Sequence, residues 1–72
     1  QESEMRNEIW TKAANLRKES AELMRKAQWQ AGCLAEEGAG SAEIDAATAA
    51  KMARISEIDS EIATLMAEWA VS

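Results

Sequence analysis

The chain has 72 residues, 13 of them acidic and eight basic, for a net charge of -5, and it contains no Pro, His, Tyr or Phe. That length allows one domain, 1–72. The acidic balance argues against a nucleic-acid surface, and the absence of His with a single Cys removes zinc sites, disulfide frameworks and His-based catalysis. The remaining composition is rich in Ala, Glu, Lys, Arg, Leu and Met, which favour helix, and poor in the β-branched and aromatic mix of strands. The expected fold is all-α.

Helix 1 is expected over about 3–37. Ser3 could cap it, with Glu4 in the first turn. Ile9, Leu16, Leu23 and Gln30 recur every seven residues, and Ala13, Ser20, Ala27 and Leu34 interleave with them. This is the seam of a coiled coil, with the first set as d positions and the second as a. Gly32 falls inside this pattern, and a glycine within a helix costs about 1 kcal/mol relative to Ala, which a long helix tolerates.

The turn is expected at 38–41, where Gly38, Ala39, Gly40 and Ser41 carry the break signals. Ser41 is a candidate N-cap for the second helix, with Glu43 and Asp45 placed to favour its positive end.

Helix 2 is expected over about 42–70. Thr48, Ile55, Ile62 and Trp69 are its a positions, and Ile44, Lys51, Ile58 and Leu65 its d positions. Folding the chain back at Ala39 pairs each a residue with a d residue of the other helix. Ile9 meets Trp69, Leu16 meets Ile62, Leu23 meets Ile55, and Leu34 meets Ile44. The registers of the two helices, assigned independently, close on the same turn. The predicted core is therefore Ile9, Leu16, Leu23, Leu34, Ile44, Ile55, Ile58, Ile62, Leu65 and Trp69. Small residues at Ala13, Ser20 and Ala27 oppose large ones on helix 2 and let the helices approach. Gln30 and Lys51 make the layers near the turn polar, with Lys51 extending its ammonium to water. The end away from the turn is expected to pack better.

The flanks of the seam differ. On one side the e positions of both helices bring Trp10 beside Met66, Arg17 beside Asp59, and Met24 beside Met52. On the other, the g positions carry Lys12, Glu19, Lys26, Arg54, Glu61 and Glu68, a solvated surface. An apolar stripe extended on one side belongs to a helix with more than one neighbour. Trp10, Met24, Met52 and Met66 are thus the expected partner or dimer interface, and two hairpins would form a four-helix bundle. Two helices alone also offer a thin core for a chain of this size.

Trp29 falls at an outward c position and is a possible exposed contact. Cys33 is a lone thiol near the turn. Six basic residues lie between Gln1 and Glu37, and Lys18 and Arg25 among them are the candidate phosphate contacts. They spread around the helix among acidic residues, the pattern of a solvated face. No nucleophile-and-base motif, Gly-rich phosphate loop or metal-ligand set occurs, so no catalytic residue, metal or cofactor is expected.

The expected function is a small non-enzymatic interaction and oligomerisation module of the adaptor, scaffold, chaperone or inhibitor type. Its partner would be a second copy or another protein. The alternatives are an RNA-binding regulator using helix 1, and a coiled-coil arm of a larger protein, since the sequence starts at Gln1 without Met. No membrane span or targeting signal is visible, which makes the cytoplasm the default location.

Overall fold

The computed structural model describes residues 2–72. It is an all-α hairpin in which α1 (Glu2–Glu36) and α2 (Ser41–Val71) pack against each other in antiparallel fashion. The molecule measures 55 × 15 × 12 Å. Its length is that of α1 alone: the helix has 35 residues, and at about 1.5 Å of rise per residue it spans about 52 Å.

Helix α1 ends in a Schellman motif. Gly38 takes φ +89°, the left-handed region that a side chain resists. The Ala39 N–H reaches back to the Leu34 carbonyl at 3.0 Å, and the Gly38 N–H to the Ala35 carbonyl at 3.1 Å. These two bonds satisfy carbonyls that the end of a helix leaves open. Gly32 passes through the helix without distortion, and a Cβ at that position would meet nothing within 4 Å.

Both expected caps are corrected. Ser3 lies inside α1, so it does not cap it. Ser41 is the first residue of α2, and the cap position belongs to Gly40, with φ -78° and ψ 166° and no side-chain hydrogen bond. The extended conformation needed there falls one residue earlier than expected, because the Schellman motif finishes at Ala39. Glycine has no oxygen to offer the first-turn N–H groups, and Glu43 supplies the only acidic charge in that turn.

The seven-residue repeat faces inward. Of the sixteen a and d positions from Ile9 to Leu34 and from Ile44 to Trp69, all but Trp69 are buried or half-buried. Ala13 and Ile58 are fully enclosed, and Ile9, Ala27, Thr48 and Ile55 nearly so. Leu16, Leu23, Leu34, Ile44, Ile62 and Leu65 are half-buried. A single layer between two helices covers each side chain from one direction and leaves its flanks open, so half-burial is the geometric consequence of having only two helices.

Two polar seam residues find partners. The Thr48 hydroxyl donates to the Ile44 carbonyl at 3.0 Å. Lys51, expected to extend to water, instead donates to the Gln30 side-chain oxygen at 2.9 Å across the hairpin. The end away from the turn packs unevenly: Ile9 and Ala13 are buried there, and Trp69 is not. Trp69 is 38% exposed, while Ile58, the largest fully enclosed side chain, lies near the middle of α2. The reason is local: Trp69 stands two residues from the end of α2, where no further layer covers its ring. Arg6 covers it in part, with its guanidinium 5.0 Å from the ring centre and its Nη2 donating to the Ser72 carbonyl at 3.2 Å. No helix among the described residues is long and apolar enough to cross a membrane.

Candidate interaction surface

The hairpin presents two broad faces, one on each side of the seam, and they differ in chemistry. On the e side Trp10 is 55% and Met52 42% exposed, while Met24 and Met66 are half-buried against the seam. An open groove of about 450 Å³ runs between the helices here, lined by Arg17, Ser20, Ala21, Met24, Asp59 and Ile62. Arg17 and Asp59 share that groove but do not close to ion-pair distance, contrary to their expected pairing. Arg17 lies instead over the Trp10 ring, 5.6 Å from its centre. The negative face of the ring attracts the cation there.

Beside the e rows runs a second row on each helix, at the b positions. It reads Ala14, Ala21 and Ala35 on α1 and Ala42, Ala49, Ala63 and Ala70 on α2, with only Asn7, Gln28 and Ser56 interrupting. All seven alanines are exposed and no b position carries a charge. Reading the sequence for large apolar residues misses this row, because alanine registers as helix propensity. The signal that finds it is the seven-residue recurrence of Ala on both helices, on the side that carries the Met and Trp residues.

The opposite face is charged. Arg54 gathers three carboxylates there: Glu19 across the hairpin, with Nε–Oε2 at 2.7 Å and Nη2–Oε1 at 3.2 Å, and Glu57 and Glu61 along its own helix at 3.2 and 3.3 Å. The hydrogen bond from Arg54 holds the Glu19 carboxyl below its ordinary value of 4.5. The same carboxylates push the Arg54 guanidinium further up. Near this network the face is less closed than its charges imply. An open groove of about 590 Å³ exposes parts of Leu16 and Leu65 between Lys12, Asn15, Ser60, Glu61 and Thr64. Its rim is polar, and the e-side groove carries charge as well, in Arg17 and Asp59 beside Ala21 and Met24.

No family model, curated protein or solved structure matches this chain.

The remaining candidate residues do not join either face. Trp29 points away from the seam and is 73% exposed. Lys18 and Arg25 are exposed on the outer surface of α1, one heptad apart. Four of the eight basic side chains are otherwise engaged: Arg6 and Arg17 on tryptophan rings, Lys51 with Gln30, and Arg54 with its carboxylates. Cys33 is half-buried and free. Among the described residues no group of three His, Cys, Asp or Glu side chains gathers as a metal site would require.

Proposed function

We propose that this chain is a protein-interaction module that pairs with a second copy of itself through the face built from its e and b positions, forming a four-helix bundle of coiled-coil type. The observation that carries this reading is the asymmetry of the two faces. One offers Trp10, Met24, Met52 and Met66 flanked by uncharged alanine rows, and the other is lined by charged side chains. Small residues at regular spacing let helix backbones approach closely, and the Met side chains adapt to fill what remains.

The exposed area allows the same reading. By the usual scaling with mass, a compact monomer of this size exposes about 4400 Å². This hairpin, of 7.9 kDa, exposes 5205 Å². The excess, about 800 Å², comes from the elongated 55 × 15 × 12 Å shape and leaves surface enough for a protein interface of ordinary size.

Ala21→Glu tests the proposal. Ala21 is exposed on the groove wall, so the substitution leaves the seam untouched while placing a charge in the middle of the proposed interface. The expected result is loss of association with helical content retained. Unchanged association would show that the copies meet elsewhere.

A further inference from the structure

Pairing through this face leaves one question about the complex, the direction in which the two copies lie, and the charges on the face answer it; the answer rests on the self-association proposed above. Two copies related by a two-fold axis can meet face to face in two ways. With the axis along the hairpin, both turns lie at the same end and α1 of each copy faces α2 of the other. With the axis across the hairpin, the turns lie at opposite ends, and each helix faces its own counterpart.

In one copy Arg17 and Asp59 stand at matching heights along the hairpin, on opposite walls of the same groove. Among the described residues neither has an ion-pair partner within its own copy, since Arg17 rests on Trp10 and the ion pairs of Arg54 lie on the other face. Turns-together docking keeps these heights aligned between copies. Arg17 of one copy then faces Asp59 of the second, and the pairing occurs twice by symmetry. Trp10 meets Met66 and Met24 meets Met52 in the same way. Docking with turns apart does the opposite. With the hairpins fully overlapped, Arg17 is then set against Met24 and Asp59 against Met52 of the second copy, so each charge faces an apolar side chain. A charge withdrawn from water needs an opposite charge beside it, and turns-together docking supplies one to both residues where turns-apart docking supplies none. We infer that the two copies dock with their turns at the same end, Arg17 of each paired with Asp59 of the other.

The test uses the full chain carrying Cys33→Ser and Glu37→Cys, spin-labelled at the exposed position 37 beside the turn. Helices packed together lie about 10 Å apart, so turns-together docking places the two labels within about 25 Å of each other. Turns-apart docking separates them by nearly the 55 Å length of the molecule. The short distance is the expected result. The long distance overturns the docking direction and leaves self-association standing, whereas a monomer with no intermolecular distance overturns both. Exchanging the charges supplies a second check. Arg17→Asp and Asp59→Arg should each weaken association at least tenfold, and the two together should restore it to within a few-fold. Single substitutions without effect would overturn the pairing.

Discussion

Arg54 and Glu19, 35 residues apart in sequence, meet as a two-point ion pair across the hairpin, with Nε–Oε2 at 2.7 Å and Nη2–Oε1 at 3.2 Å. The planar guanidinium matches the carboxylate at both points, which a lysine could not do. Glu57 and Glu61 join from the same helix and turn the pair into a small network.

The pH dependence of this pair has a definite sign. The Glu19 carboxyl is held low, chiefly by its hydrogen bond from Arg54. A group whose folded value is lowered adds stability above its unfolded value and loses it as pH falls through the folded one. Arg54→Gln should therefore lower the melting temperature at neutral pH, and the gap from the parent should shrink as pH falls below 4.5. The pair is partly exposed, so added salt should also narrow the gap. Thermal melts of both chains across pH check this. A gap that persists at low pH would mean that Arg54 acts through packing rather than charge.

The three glycines should respond in different directions. Gly38 holds a positive φ. Gly38→Ala forces a side chain into that left-handed region and should cost about 1 kcal/mol or more. Gly32 sits in a regular helix with open space around it. Gly32→Ala should add about 1 kcal/mol. Gly40 caps α2 at an ordinary φ without a side-chain oxygen. Gly40→Asp supplies that oxygen and should add a few tenths of a kcal/mol, the usual difference between the two residues at a cap. Urea midpoints measure all three. A destabilising Gly32→Ala would indicate that another molecule approaches the outer face of α1.

Much of this architecture is written in spacing. Ile9, Leu16 and Leu23 on α1, with Ile55 and Ile62 on α2, recur every seven residues and point inward, and the Gly38–Gly40 break is where the chain reverses. What the pattern does not carry is local. Ser41 resembles a cap, but the length of the Schellman motif decides which residue takes the extended conformation. Trp69 continues the a series, yet the helix ends before another layer can cover it. Arg17 faces Asp59 by position and is drawn to the Trp10 ring instead. The alanine rows are hidden for a different reason: their surface role depends on which side of the seam they fall, and that is set by the pairing of the two helices.

The polar layer near the turn should be replaceable. Gln30 and Lys51 join by one hydrogen bond at 2.9 Å in a part-buried position. Replacing both with leucine removes the cost of withdrawing an ammonium from water and adds apolar contact. The double variant should gain about 1 kcal/mol or more. Lys51→Leu alone should gain less, because Gln30 loses its partner. Chemical denaturation of the three variants tests the ordering. A double variant weaker than the parent would mean that the polar layer is needed to hold the register.

Arg6 should fasten the open end. It covers the Trp69 ring and donates to the Ser72 carbonyl. Arg6→Ala should cost roughly 1 kcal/mol or less, the range for an exposed cation over an aromatic ring. It should also speed hydrogen exchange in the last turn of α2 while leaving the turn-proximal amides unchanged. Uniform loss of protection would show that the two ends unfold together.

The most direct test of the central claim is the mass of the chain in solution, measured by light scattering across a dilution series with reductant present, so that Cys33 cannot cross-link copies. The account predicts a mass twice 7.9 kDa at high concentration, falling toward 7.9 kDa on dilution, with Ala21→Glu remaining at 7.9 kDa throughout. A folded hairpin of 7.9 kDa at every concentration would contradict it.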